Sequence, residues 1–245
     1  MSLMFANSLL DGFLLSNGIG KGIVIAQLLG SVAMFATIIG KWRELRYVAS
    51  ASRRFLRDFS SGGNVLEYYF NRRPSATSGL ERIYKDTCDR LLKLIAPEVR
   101  LLLGGKQPDH PGSASLTSRE IELVRGTCEN AMDEETIRVE GAMPIIATVV
   151  ALSPMLGLLG TVWGVLDAFA DMGSAGSANL ATIAPSISSA LVTTVVGLII
   201  AIPGVCFFNA LNTKIRDITS DITGFADELM GRIACEFQEF QEGAV

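Results

Sequence analysis

The sequence predicts an all-α membrane protein with three transmembrane helices. Three stretches contain no charged residue, namely 22–40, 141–166 and 172–213. Each provides roughly the 20 apolar residues that a helix needs to cross a bilayer. Only 19% of the 245 residues are charged, against roughly 25% in an average soluble domain, and the mean hydropathy is +0.38. This composition argues against a small soluble enzyme.

The positive charges predict the orientation of the chain in the membrane. Seventeen of the 21 Lys and Arg residues lie between Lys41 and Arg138, and none lies in 171–180. Lys and Arg collect on the cytoplasmic side of membrane proteins, so we expect the N-terminus outside and the C-terminus inside. The predicted order is a short amphipathic outer segment (1–21), TM1 (22–40), a helical cytoplasmic region (41–140), TM2 (141–170), an outer loop (171–180), TM3 (181–205) and a cytoplasmic helical extension (206–245).

The apolar periodicity extends the last two spans into the charged regions. Thr117 and Glu120 form a capping-box pattern that marks a helix start, and one helix is predicted from 118 to about 169, bent by Pro144 and Pro154. The third span is predicted to continue without a break, because an apolar stripe keeps helical spacing to the C-terminus. Its members are Ile215, Ile218, Ile222, Phe225, Leu229, Ile233 and Phe237.

The spacing of cysteines and histidine predicts neither a metal site nor a catalytic group. Cys88, Cys128, Cys206 and Cys235 match no zinc or CxxC spacing, and they are interpreted as packing residues. The single histidine, His110, lies in the loop-like stretch 104–112.

Small and hydroxyl residues recur at helical spacing in the second and third spans. Five glycines are predicted to let helices approach closely: Gly157, Gly160, Gly164, Gly197 and Gly204. Five hydroxyls either bond to carbonyls of their own helix or line a polar pathway: Thr161, Ser186, Ser189, Thr193 and Thr194. We expect these small-residue faces to be too extensive for burial within one subunit. A proton carrier normally needs an ionisable intramembrane group, which these spans lack.

The motifs of these two spans closely resemble the TolQ/ExbB/MotA family of proton-channel proteins. They are Ser153–Phe169 (SPMLGLLGTVWGVLDAF), Ala184-Pro185, Ala190–Leu198 (ALVTTVVGL), Ala201–Gly204 (AIPG) and Asn209. The three-span layout and the large insert between the first two spans fit the same family.

The resemblance implies a bacterial inner-membrane location and a homopentamer around a pore. It also implies a smaller ExbD- or TolR-like partner, whose single span carries a membrane aspartate, and a TonB- or TolA-like protein that receives the energy. Protons are the implied coupling ion, with no cofactor and no nucleic-acid partner. Thr161 and Thr194 match the family's pore threonines and would face the partner aspartate.

One position departs from the family pattern, because Ser189 stands where TolQ and ExbB often carry a glutamate. The label of TolQ or ExbB is therefore kept open. The alternatives are a stator of another proton-driven machine (gliding, flagellar-type or secretion) and a non-conducting membrane scaffold.

Overall fold

The structure, a computed structural model, describes residues 13, 17–60, 65–72, 78–103, 116–175 and 180–237. Within these ranges it contains helices and no strand, and three helical stretches are long and apolar enough to cross a membrane. The predicted fold class is confirmed. The helices are α1 (Gly18–Ser60), α2 (Val65–Arg72), α3 (Gly79–Leu103), α4 (Ser118–Glu140), α5 (Met143–Ala175) and α6 (Leu180–Phe237).

Some predictions on local structure fall outside the described residues. These are the amphipathic N-terminal segment, apart from residues 13 and 17–21, and the loop 104–115. The predicted outer loop 171–180 is partly helical, because α5 continues to Ala175. The Ser174 hydroxyl donates to the Asp171 carbonyl at 2.9 Å within this last turn.

The chain divides into two compact units. Met1–Trp42 and Ala142–Asn212 form one, here called the apolar unit, and Arg43–Gly141 and Thr213–Val245 form the other, here called the charged unit. The apolar unit contains the three uncharged stretches, and the charged unit carries nearly all Lys and Arg residues.

An aromatic cluster forms the core of the charged unit. Phe225 packs against Phe55 and Phe59 with both pairs of ring centroids 5.3 Å apart, and Tyr68 packs edge-on against Tyr84 at 5.6 Å. Such aromatic pairs contribute about 0.5–1.5 kcal/mol beyond their buried area. The cluster therefore fixes α6 against α1, α2 and α3 in this unit.

Helix α6 runs unbroken from Leu180 to Phe237, which confirms the predicted continuation of the third span. Every residue of its predicted apolar stripe, from Ile215 to Phe237, is buried. Pro185 and Pro203 lie inside this helix, as membrane helices tolerate when neighbouring groups satisfy the freed carbonyls.

Helix α4 starts with the predicted capping box. The Glu120 amide donates to the Thr117 hydroxyl at 3.4 Å, and the Glu120 carboxylate accepts from the Thr117 amide at 2.9 Å. The buried face of α4 includes Ala131 and the charged residue Glu135, whereas Met132 and Thr136 are only partly buried.

An ion pair accounts for the burial of Glu135. The Arg82 guanidinium contacts both carboxylate oxygens of Glu135, at 2.6 and 2.9 Å. Gly79 leaves the space that this carboxylate occupies, since a Cβ atom there would lie 2.8 Å from it. A buried carboxylate is tolerated when it is paired and hydrogen-bonded in this way.

The single helix predicted over 118–169 is present but is interrupted by one turn. Helix α4 ends at Glu140 and α5 begins at Met143, with a turn at Gly141 and Ala142. Pro144 has no amide hydrogen to donate to the carbonyl four residues earlier. The Gly141 amide donates to the Arg138 carbonyl, three residues earlier, in a long hydrogen bond of 3.4 Å. Pro154, in contrast, lies within an intact helix.

The cysteines also divide into two groups. Cys88 and Cys128 are buried packing residues as predicted, whereas Cys206 and Cys235 are exposed, so the packing interpretation is wrong for these two. Burial raises the pKa of the Cys88 thiol to about 12 and raises the pKa of Cys128 as well.

Cys88 should therefore resist alkylation in the folded protein. The thiolate is the form that reacts, and burial raises the pKa of the Cys88 thiol to about 12, so Cys88 stays protonated at pH 9. Cys235, in contrast, is exposed to the reagent. Timed iodoacetamide labelling at pH 9 with mass-spectrometric mapping should give Cys88 a rate at least about 100-fold below that of Cys235, because the thiolate is the reacting species. Equal rates before denaturation would contradict the buried placement of Cys88.

Candidate functional site

Helices α5 and α6 meet along a seam of glycines in the apolar unit. A Cβ atom at Gly157 would lie 2.8 Å from the Thr194 Cα, and one at Gly160 would overlap the Thr193 side chain. At Gly164 the added atom would overlap the Ala190 side chain. Three successive turns of α5 therefore touch α6 at distances that only glycine permits.

The two glycines of α6 continue the seam along Ser153 and Val150 of α5. A Cβ atom at Gly197 would lie 2.5 Å from the Ser153 carbonyl oxygen, and one at Gly204 would lie 2.8 Å from the Val150 side chain. Gly204 also faces Met34 of α1, whose sulfur would be 3.0 Å away. Helix α1 therefore packs over the same seam.

This packing corrects one expectation from the sequence. The small-residue faces were expected to exceed what one subunit could bury, but each of the five glycines is filled by a neighbouring helix of the same chain. The groups left exposed are large apolar side chains. On α5 they include Met155, Leu158, Val162, Leu166 and Phe169, each at least 59% exposed.

Two adjacent threonine hydroxyls lie within hydrogen-bonding distance of one carbonyl across the seam. The Thr194 hydroxyl donates to the Gly157 carbonyl at 2.8 Å. The Thr193 hydroxyl lies 3.2 Å from the same oxygen and 2.7 Å from the Ala190 carbonyl of its own helix. Because Gly157 has no side chain, its carbonyl is accessible to both hydroxyls, and α5 and α6 are joined by hydrogen bonds in a region without charged groups.

Gln27 of α1 is a buried polar residue that the sequence analysis missed. Its amide nitrogen donates to the Ser153 carbonyl at 3.0 Å and to the Thr193 carbonyl at 3.3 Å, so it bridges all three span helices. The Gln27 side chain is 2% exposed, and its Oε1 atom has no partner among the described residues. The available signal was that Gln27 is the one amide side chain in 22–40.

Three hydroxyl residues line a narrow cleft between α1, α5 and α6, here called the outer cleft. They are Ser186, Ser189 and Thr193, and the cleft extends from Asn17 and Asp167 down to Gly160. The Asn17 amide donates to the Asp167 carboxylate at 2.6 Å, and the Ser186 hydroxyl donates to the Asp171 carboxylate at 3.2 Å. Asp167 is thus bonded to the residue just before α1, and Asp171 is bonded to α6.

Thr161 differs from the other predicted pathway residues. Its hydroxyl donates to the Leu158 carbonyl of its own helix at 2.7 Å, and the side chain is partly exposed. The Ser189 hydroxyl likewise donates within its helix, to the Ser186 carbonyl at 3.1 Å. Thr161 and Ser189 therefore bond within their own helix, as one of the two alternatives predicts, whereas Thr194 and Ser186 bond across helices. The polar pathway stays a prediction.

The chemistry available at this site is that of hydroxyls, an amide and two carboxylates. Among the described residues no three or more His, Cys, Asp or Glu side chains are grouped so that they could hold a metal ion. The deep part of the site has hydroxyl and carbonyl oxygens that can bond to water or to an acid, but no side chain there carries a proton that titrates near neutral pH.

Comparison with known proteins agrees with the motifs. The sequence model of the MotA/TolQ/ExbB proton channel family matches residues 96–223. The Tol-Pal system protein TolQ of Haemophilus influenzae is 32% identical over 89% of this chain and 90% of its own length. TolQ of Pseudomonas aeruginosa is 28% identical over 84% of each chain. The biopolymer transport protein ExbB of Xanthomonas campestris is 35% identical over 44% of this chain and 43% of its own.

Replacement of Gly157 by alanine should destabilise the apolar unit. The added methyl would lie 2.8 Å from the Thr194 backbone, so α5 and α6 must separate, and overpacking of this kind costs about 1–3 kcal/mol. Unfolding of the detergent-solubilised variant by sodium dodecyl sulfate, followed by circular dichroism, measures the loss. Gly173→Ala in the same helix is the matched control, since nothing lies within 4 Å of its added methyl. Equal stability of the two variants would mean that the seam is not closely packed.

Proposed function

Because the chain belongs to the MotA/TolQ/ExbB proton channel family, we propose that it is a motor subunit driven by the proton-motive force. In this proposal it resides in a bacterial inner membrane as a multi-pass protein, with the N-terminus outside and the C-terminus in the cytoplasm. It acts with an ExbD- or TolR-like partner to conduct protons, and it is not an enzyme. The conformation of the partner changes as protons pass.

The missing ionisable group is the reason for requiring a partner. No Asp, Glu, Lys, Arg or His lies in 141–166 or 172–213, yet a carrier of protons needs a titrating group within the membrane. An aspartate on the single span of the partner supplies that group. The coupling ion is the proton, and no cofactor takes part.

The contact between Thr194 and the Gly157 carbonyl is the observation that carries the proposal. Since the Thr194 hydrogen is committed to that carbonyl at 2.8 Å, the free lone pair of its oxygen can only accept a hydrogen bond. Thr161 is in the same condition, because its hydrogen goes to the Leu158 carbonyl. Two acceptors favour the protonated, neutral form of an approaching carboxyl group over its carboxylate.

The magnitudes suit a tuning role for these hydroxyls. An aspartate at the bilayer centre costs about 2.5–3.5 kcal/mol on insertion scales, and a neutral hydrogen bond returns about 0.5–1.5 kcal/mol. At 1.36 kcal/mol per pKa unit, each hydroxyl changes the proton affinity of the acid by up to about one unit. The driving force is about 2.3 kcal/mol per charge per 100 mV, so a change of that size alters whether the acid releases its proton.

The assembly in this proposal is a homopentamer around the partner, with a TonB- or TolA-like protein receiving the energy. The family resemblance supports it, as do the large exposed side chains of α5, which need lipid or a neighbouring subunit as partner. We favour a role in outer-membrane and envelope integrity of the Tol-Pal kind. A TolQ relative matches 89% of the chain, whereas an ExbB relative matches 44%. TonB-type transport is the next choice.

Thr161→Val and Thr194→Val should assemble with the partner yet lose most proton-coupled activity. Valine keeps the shape of threonine and removes the oxygen that would accept a hydrogen bond from the acid. Proton flux into proteoliposomes, measured on complexes shown to be intact, is expected to fall by about tenfold for each variant, as one pKa unit of lost tuning implies.

Thr148→Val is the matched control on the same helix as Thr161. Its hydroxyl donates to the Pro144 carbonyl of its own helix at 2.8 Å, outside the glycine seam, so its flux should equal that of the wild type. Wild-type flux in a Thr161→Val, Thr194→Val double variant would reduce both residues to packing. A wild-type complex that failed to conduct would instead favour the scaffold alternative.

The purified chain should be a closed oligomer rather than a monomer in mild detergent. Native mass spectrometry of the wild type, with and without the partner, is expected to give a single species of five copies. A stable monomer in both preparations would rule out the ring, and a different copy number would correct the stoichiometry alone.

A further inference from the structure

The outer cleft is narrow and lined in part by polar side chains. It passes between α1, α5 and α6 from the Asp167 carboxylate to the buried Thr193 hydroxyl. Asp167 and Gly160, which mark its ends on α5, lie two helical turns apart, roughly 10 Å. The space for the centre of a water molecule is about 10 Å³, which is room for one water or one ion of that size.

The hydroxyls that line the cleft can only accept hydrogen bonds from a ligand. Ser186 donates its hydrogen to Asp171 at 3.2 Å, Ser189 to a helix carbonyl at 3.1 Å and Thr193 to the Ala190 carbonyl at 2.7 Å. Each oxygen then presents lone pairs to the cleft. A wall of lone pairs binds a ligand that is positive or carries hydrogens, and it repels an anion.

The charge at the mouth of the cleft has the matching sign. Asp167 lines the cleft, and the side-chain amide of Asn17, the residue just before α1, donates to its carboxylate at 2.6 Å. Asp171 lies one turn further along α5, bound by Ser186. Lys21, one turn along α1 from Asn17, is the one basic residue described at this end of the apolar unit. A carboxylate at a narrow low-dielectric opening concentrates cations there.

From these observations we infer that the outer cleft admits the coupling cation, as a hydrated proton or a small monovalent metal ion, with Asp167 as the residue that attracts it. The inference rests on the proposed function, since it describes how the ion reaches the hydroxyl level of that pathway. Asp167 raises the occupancy of the cleft by the cation. It therefore sets the cation concentration at which flux saturates and does not change the steps that follow binding.

The test is cation flux in proteoliposomes that contain the complex of this chain with its partner. Initial flux is measured at a fixed membrane potential while the outer cation concentration is varied, in one series by pH without sodium and in another by sodium chloride at constant pH and ionic strength. Asp167→Asn is expected to raise the half-saturating concentration by about tenfold with the maximal flux unchanged, and the difference should shrink at high ionic strength. The series that saturates identifies the ion.

Two further variants make the result specific. Asp167→Glu keeps the charge and should restore the wild-type half-saturating concentration. Asp221→Asn removes the same charge from an exposed position of α6 in the charged unit and should behave as the wild type.

An unchanged half-saturating concentration in Asp167→Asn would overturn the inference, whether or not the maximal flux falls, because a purely structural role lowers only the maximum. A wild-type complex that conducts neither ion would overturn the proposed function as well. Conduction by the wild type together with an unaltered Asp167→Asn would overturn this inference alone.

Discussion

The close approach of α5 and α6 is the constraint on which the apolar unit depends. In a membrane there is no hydrophobic drive to bring helices together, so close packing and hydrogen bonds must do so. Gly157 serves both, because its missing side chain lets the Thr194 backbone approach and uncovers its own carbonyl to two hydroxyls. A larger residue would remove both contributions at once. The close contact between the two helices, and not an ion pair, therefore positions the buried polar groups of this unit.

The hydrogen bonds of the seam use up the available donor hydrogens and leave oxygen acceptors without partners. The hydroxyls use their hydrogens on carbonyls and carboxylates, and Gln27 uses its amide hydrogens on the Ser153 and Thr193 carbonyls. What remains unpaired is oxygen lone pairs, including the buried Gln27 Oε1, which costs about 1–3 kcal/mol when left without a donor. The interior of the unit is therefore short of donors. A protonated carboxyl group or a hydrated cation supplies what it lacks, and a carboxylate does not.

The helices, and the positions of the small and hydroxyl residues along two of them, could be predicted from the sequence because they depend on periodicity. The uncharged stretches, the capping box at Thr117 and the stripe from Ile215 to Phe237 are local patterns, and each has its counterpart in the structure.

The contacts between helices could not be predicted in the same way. Burial of Glu135 depends on Arg82 and on the space at Gly79, and the role of Gln27 depends on carbonyls of two other helices. The interruption of the helix before Pro144 could not be predicted either. A proline removes one backbone hydrogen bond, but residue spacing alone does not show whether the helix bends or breaks there.

The glycine seam also constrains how such a sequence can change over generations. At each contact the two helices share one small volume, so a methyl group gained on α5 must be given up on α6. Gly164 and Ala190 form the simplest pair, since an exchange of the two residues would keep their summed volume. Gly160 and Thr193 are less free, because Thr193 also needs its hydroxyl for the carbonyls it bonds. In homologous sequences, residues 164 and 190 should therefore change together, whereas residues 160 and 193 should both stay the same. Covarying and invariant pairs would then alternate along one face of the helix.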